Sequence, residues 1–222
     1  MLRALLRTGL LLMIALVLMT AGLHALASNY PFPLDGASYP YDTVVLITTP
    51  SGTGSGVVVE HTLEGGMCRT DIITAKHIVE SGRTRDGVEP ILFIAQSYIA
   101  LVARESPKWD IALLTVDSKR CIGTPVNFTS KLELPSRVFS IGYPYGVYLI
   151  KEGIVSGFYD FFIPLGEEAD GPWIVHSADL GEGSSGGGLF DEGGWFLGMN
   201  VAGLEHITVA MPYTTIKEFL DG

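Results

Sequence analysis

The sequence predicts an all-β fold, and three observations carry the prediction. Short β-branched runs recur at roughly 8–12-residue spacing, as in sandwiches and barrels. Glycine and proline, 27 and 12 of 222 residues, break them into strands and turns. No amphipathic segment of roughly 10–15 residues separates successive runs, which disfavours a parallel βαβ sheet. With 47% apolar and 17% charged residues, the chain has enough core-forming side chains to exclude a disordered polymer.

The elements follow in order. Arg3 and Arg7 precede an uncharged apolar run, Thr8 to Ala27, that ends in the small-x-small triplet Ala25-Leu26-Ala27. This pattern predicts a signal peptide over 1–27, with the mature chain beginning at Ser28. The alternative is an uncleaved membrane anchor over 8–27, since the run nears the ~20 residues that span a bilayer. Either reading places the body of the protein outside the cytoplasm, secreted or periplasmic. Residues 28–42 read as an extended lead-in, because Pro31, Pro33 and Pro40 exclude regular helix. Strands are predicted at 43–48, 54–60, 70–75, 90–94, 97–103, 110–116, 137–142, 148–158, 172–176, 194–201 and 207–210. A weak boundary at 118–136 separates two strand-rich halves. Thr214 to Leu220, with Ile216, Phe219 and Leu220 at helical spacing, predicts a short C-terminal helix.

Charge and cysteine usage narrow the function. A net charge of −10, from 24 acidic against 14 basic side chains, argues against a nucleic-acid partner, which such a surface repels. Two cysteines, Cys68 and Cys121, are too few for a disulfide scaffold and lack metal-ligand spacing, so structural zinc is not expected; no other metal or cofactor is expected either.

Three segments bear on chemistry. Gly52-Thr53-Gly54-Ser55-Gly56 lacks the Gly-Lys-Ser/Thr ending of a phosphate loop and leads into a strand, so it reads as a glycine-rich strand turn. Gly181 to Leu189 (GEGSSGGGL) satisfies G-x-S-x-G, the elbow of α/β-hydrolase esterases, but a hairpin around Gly193-Gly194 follows where that fold needs a helix. Read as G-x-S-G-G between strands, the cluster instead aims consecutive main-chain N–H groups at one point, as an oxyanion requires. That chemistry needs an upstream histidine and aspartate. His77 ends the apolar run Ile72-Ile73-Thr74-Ala75-Lys76, and Asp110 heads Ile111-Ala112-Leu113-Leu114.

On these residues the chain resembles the trypsin-like serine proteases, in particular the HtrA (Do-like) protease domain. The matching stretches are GTGSGVVVE, IITAKHIVE, DIALLTV, SIGYPYGVYLIKEGIVSG, SADLGEGSSGGGLFDEGGWFLGMNVAG and TVAMPYTTIKEFL, in order from about residue 52 to 220. The resemblance implies two antiparallel six-stranded β-barrels over residues 43–222, with an active site in the cleft between them. It implies His77 as general base, Asp110 as its orienter and Ser185 as nucleophile of a serine endopeptidase acting on proteins or peptides. The N–H groups of Gly183 and Ser185 are then the oxyanion hole, and Asn200-Val201-Ala202 the edge that pairs with substrate. A catalytically silent peptide-binding module of the same fold is the rival, and retention of all three triad residues argues against it.

Further expectations rest on the same resemblance. Ser184 stands where the family has Asn or Asp and Gly188 where it has Pro or Ala, which predicts a softer oxyanion loop. Nothing matches the family's PDZ domain, so regulation through one is not expected in this chain. Tyr30, Phe32, Tyr39 and Tyr41 precede the first barrel, where the family forms trimers; an arm packed on its own barrel accounts for them equally well. The two-barrel fold brings Cys68 and Cys121 to one end of a barrel, leaving a disulfide and two unpaired buried thiols as alternatives. Asp179, six residues before Ser185, matches the floor of the trypsin S1 pocket and predicts cleavage after Arg or Lys. Its alternatives are a loop-capping role and aliphatic P1 preference. His61, His176 and His206 have no motif around them and read as structural or surface residues, with His206 a candidate for the pocket wall.

Overall fold

The computed structural model describes residues 42–82, 93–95, 97–128, 132, 134–161, 170–204 and 206–222. The predicted leader or anchor, the lead-in up to Tyr41 and the N-terminal aromatic residues lie outside them. Among the described residues no helix is long and apolar enough to cross a membrane.

Among the described residues, twelve strands form two closed antiparallel barrels. The first contains β1 (Val44–Thr49), β2 (Gly52–Glu64), β3 (Met67–Thr74), β4 (Phe93–Ala95), β5 (Tyr98–Glu105) and β6 (Ala112–Ser118), in the order β1-β2-β3-β6-β5-β4. The second contains β7 (Arg137–Gly142), β8 (Leu149–Phe161), β9 (Asp170–His176), β10 (Gly188–Asp191), β11 (Phe196–Leu204) and β12 (Ile207–Pro212), in the order β10-β11-β12-β9-β8-β7. Closure leaves no unpaired sheet edge, the hazard of an open β-sheet. Helix α1 (Lys76–Ser81) follows β3, and α2 (Tyr213–Asp221) ends the chain.

Alternating side chains fill each barrel. Along β1, Val44, Ile47 and their neighbours are buried; from β3 and β6, Ile72, Ile73, Leu114 and Val116 meet them. A second cluster, built on Val138, Val155, Ile174, Leu189, Leu197 and Ala210, occupies the other barrel. Each buried Val, Leu or Ile among them contributes about 1.5–3 kcal/mol by leaving water. The connecting segment is held by Phe128, which bridges to Phe196 and packs its ring at 5.8 Å from Phe196 and 5.4 Å from Tyr213. Helix α2 is tied back to the first barrel by Arg104, which donates to the Leu220 carbonyl (3.0 Å) and lies 4.5 Å over the Phe219 ring.

Three local features depart from the sequence prediction. The Gly52–Gly56 run is the body of β2 rather than a turn, and its glycines clear space for neighbours: a Cβ at Gly56 would lie 2.7 Å from Ile72. Strand β10 was absent from the predicted set because four residues (GLFD), all but the last buried, show no alternation. Helix α1 lacks a capping side chain and acidic residues in its first turn, so nothing local announces it. Of the two cysteine alternatives, the structure has the disulfide: β3 pairs antiparallel with β6, Cys68 faces Ser118, and Cys68 bonds Cys121 across 53 residues.

Candidate active site

The three sequence-predicted triad residues sit on three different supports. His77 lies in the first turn of α1, directly after β3. Asp110 sits in the short turn before β6. That turn is fastened by buried Ser106, whose Oγ accepts the N–H groups of Lys108 (3.2 Å) and Trp109 (2.9 Å) while its own N–H donates to Ile111 O (3.0 Å). The two residues meet twice: Asp110 Oδ1 accepts the His77 main-chain N–H at 2.8 Å, and Oδ2 stands 2.6 Å from His77 Nδ1. A carboxylate only accepts, so Nδ1 carries the proton, and in the neutral ring the lone pair is on Nε2. Burial alone would raise the Asp110 carboxyl. The hydrogen bonds and charge of His77, aided by Lys76, outweigh it and hold the pKa below its ordinary value.

Ser185 comes from the second barrel, in the loop before β10. Its hydroxyl donates to the Val201 carbonyl at 3.0 Å, and among the described residues no hydrogen bond joins Oγ to His77. Val201 falls at a register shift of β11 against β12, between the Asn200↔Ala210 and Ala202↔Val209 pairs. The bulge is what frees the Val201 carbonyl to face the serine.

The loop is shaped by glycines. Gly186 has φ +84°, and a Cβ there would lie 2.0 Å from the Ser55 carbonyl oxygen. Gly183 has φ +90°, and a Cβ would meet Tyr143 O and Tyr145 N at 3.0 Å. Both positions require glycine. Within the loop, Gly187 N donates to Ser184 O (2.9 Å) and Gly186 N to Asn200 O (2.7 Å). The main-chain N–H groups of Gly183 and Ser185 have no acceptor among the described residues. Both donors on the serine loop are therefore uncommitted among the described residues.

The two family departures have local reasons. Ser184 clasps the turn, its N–H (3.2 Å) and its hydroxyl (2.6 Å) both donating to Gly181 O, so the loop is fastened rather than soft. At Gly188 a Cβ would lie 2.3 Å from the Phe190 ring, so a larger residue there requires that ring to shift.

Sequence reasoning missed Ser55. It is fully buried on β2 and joins the barrels at the site: its N–H donates to Ser185 O (2.9 Å), and its Oγ accepts Tyr143 N–H (2.8 Å) and donates to Gly183 O (2.9 Å). Thr74 Oγ1 in turn donates to Ser55 O at 2.7 Å. The only available signal was a serine inside a glycine run, which points equally to a turn.

The other candidates divide. The Asn200 side chain is buried and committed inward: its Oδ1 accepts His176 Nε2–H (3.1 Å) and its Nδ2 donates to Ser140 Oγ (2.6 Å). Burial lowers the His176 pKa to about 4, against smaller opposing effects of Asn200 and Asp179, so this histidine is structural and neutral. Asp179 Oδ1 accepts Gly181 N–H (2.9 Å) and Thr208 Oγ1–H (3.3 Å), which caps the entry to the serine loop. His206 is exposed between β11 and β12, and His61 Nε2 lies 3.0 Å from Ile122 O.

Comparison with known proteins agrees with this architecture. The "Probable periplasmic serine endoprotease DegP-like" of Brucella suis is 28% identical over 189 residues, covering 78% of this chain and 33% of its own length. "Protease Do-like 1, chloroplastic" of Arabidopsis thaliana is 26% identical over 167 residues, covering 72% and 35%. The chain thus spans about a third of the length of these curated relatives. The crystal structure of the serine endoprotease from Yersinia pestis superposes with a TM-score of 0.63 at 22% identity, over 82% of this chain and 62% of that one, and so shares the fold. The trypsin-like peptidase domain matches residues 54–199, most of the described barrels, and the chain belongs to that family.

Proposed function

We propose that the protein is a serine endopeptidase that cleaves peptide bonds through an acyl-enzyme. The observation that carries this reading is the pairing of an Asp110-oriented His77 with a serine loop whose Gly183 and Ser185 N–H groups have no acceptor among the described residues. As Ser185 Oγ attacks the scissile carbonyl, His77 Nε2 takes its proton, and the oxyanion is held by the Gly183 and Ser185 N–H groups. The imidazolium then gives its proton to the leaving amine as the C–N bond breaks. Water repeats the sequence to release the acid product. Asp110 keeps the proton on Nδ1 and offsets the imidazolium charge. Before attack, the Ser185 hydroxyl must leave the Val201 carbonyl. The substrate P1 N–H lies two bonds from the attacked carbon and is the group suited to replace it, so substrate pairing along Val201-Ala202 would turn the serine toward His77.

For specificity we read Asp179 as favouring Arg or Lys at P1. Among the described residues, its hydrogen bonds from Gly181 and Thr208 both go to Oδ1. A carboxylate in a desolvated pocket makes a strong charge-assisted bond to a cationic side chain. The periplasmic relatives and the Arg-flanked apolar N-terminus support an extracytoplasmic location, with N-terminal sequencing expected to begin at Ser28. Proteome-wide cleavage-site profiling, with Ser185→Ala as control, tests the proposal. Cuts made by wild type alone support an endopeptidase; enrichment of Arg and Lys at P1, lost in Asp179→Ser, supports the pocket reading. Cuts after Val or Ala with Arg ignored would confine Asp179 to capping the loop.

A further inference from the structure

At one end of the first barrel, away from the serine loop, the fold gathers three donor side chains that the sequence holds far apart. His61 is on β2, Cys68 opens β3, and Cys121 follows β6. The two sulfurs and one ring nitrogen of His61 all lie within 4.8 Å of one another. The β2–β3 hairpin sets this register: Thr70 pairs with His61 and Cys68 with Leu63. A second observation bears on the imidazole. His61 Nε2 stands 3.0 Å from the Ile122 carbonyl, which can only accept. In the neutral ring the proton is therefore on Nε2 and the lone pair on Nδ1. A backbone carbonyl holding the remote N–H is the usual support of a metal-binding histidine, because it sets ring orientation and raises the basicity of the other nitrogen.

We propose that the Cys68–Cys121 disulfide and His61 form a redox-gated site for a thiophilic divalent cation of the zinc type. In the oxidised chain the sulfurs are bonded to each other and the site binds no metal. A phosphine or thiol reductant supplies two electrons, the S–S bond breaks, and two solvent protons give two thiols. The cation then displaces both thiol protons and is bound by two thiolates, His61 and one water. At about 2.3 Å per Zn–S bond, tetrahedral ligation sets the sulfurs about 3.8 Å apart. With the cysteine Cα atoms 5.2 Å apart, side-chain rotation suffices for that separation. The choice of cation follows from the ligands: two thiolates and an imidazole suit zinc and disfavour calcium or magnesium. Cys121 is exposed and gives reductant and metal their entry, while Cys68 is buried beneath it. The same strands are thus stapled either by the disulfide or by the metal.

The test uses the full chain, reduced with a phosphine and freed of reductant, then titrated with Co²⁺ and Zn²⁺. The proposal expects one cation per reduced chain, thiolate-to-cobalt charge-transfer absorption for two Co–S bonds, and displacement of cobalt by zinc. Oxidised protein should show none of this. His61→Gln should weaken zinc at least tenfold while the disulfide still forms, and Cys121→Ser should abolish the charge-transfer band. Circular dichroism checks the fold; if reduction alone unfolds the chain, zinc present during reduction should keep it folded. A reduced, folded chain that takes up no stoichiometric metal overturns the proposal. So does affinity unchanged in His61→Gln, or a chain that unfolds on reduction despite zinc.

Discussion

His176 makes stability depend on pH in a calculable way. It is 1% exposed, its Nε2–H is donated to Asn200, and its Nδ1 has no partner among the described residues. Protonating Nδ1 would place a charge in the second barrel with nothing to accept its hydrogen bond. The folded pKa is accordingly about 4 against 6.5 for the free group. A depressed folded pKa means that the unfolded chain takes up the proton first. The stabilisation is complete above about pH 6.5 and is lost as pH falls through the window to about 4. At about 1.4 kcal/mol per pH unit, about 3 kcal/mol is lost by pH 4, where the folded histidine is itself half protonated. Urea unfolding of wild type and His176→Gln between pH 7.5 and pH 4 isolates it, because other titrating groups are shared. The wild-type curve should fall relative to the variant by about 3 kcal/mol across that window. Parallel curves would refute the buried, neutral histidine.

Four further outcomes follow from the site and the disulfide. Ser185→Ala and His77→Ala should each lower kcat by about 10⁴–10⁶, and the double variant should be little worse, because the triad acts as a unit; steady-state cleavage of a peptide substrate measures this. Ser55→Ala should cost roughly 1–3 kcal/mol in chemical denaturation, since it removes the buried hydroxyl that accepts Tyr143 N–H and donates to Gly183 O. The same variant should lose a share of the about 10²–10³ in kcat that a whole oxyanion donor supplies. Reducing the disulfide in the absence of metal should remove about 4 kcal/mol, the chain-entropy value for a loop of 53 residues, read as a drop in urea midpoint.

How much of this was visible in the sequence depends on how local each feature is. His77, Asp110 and Ser185 stand in short contiguous motifs, so their candidacy needed no tertiary information. Helix α2 was predicted from the spacing of Ile216 and Phe219, both of which are buried. The two-barrel closure, by contrast, came only with the resemblance, since alternation along single strands does not state which strands pair. Ser55 and Ser106 were invisible because their partners are distant in sequence or are main-chain groups of a turn. The His176–Asn200–Ser140 chain joins three strands, and no one of those residues signals the others. His61 is likewise brought to the cysteines only by the β2–β3 register and the return of the chain after β6.

Covalent labelling decides whether Ser185 is a nucleophile armed by His77. Purified protein is treated with a fluorophosphonate probe, digested, and analysed by tandem mass spectrometry. One adduct per chain is expected, on the peptide containing Ser185, absent from Ser185→Ala and strongly slowed in His77→Ala. A folded wild-type protein that takes up no probe, or takes it up equally in Ser185→Ala, would contradict it.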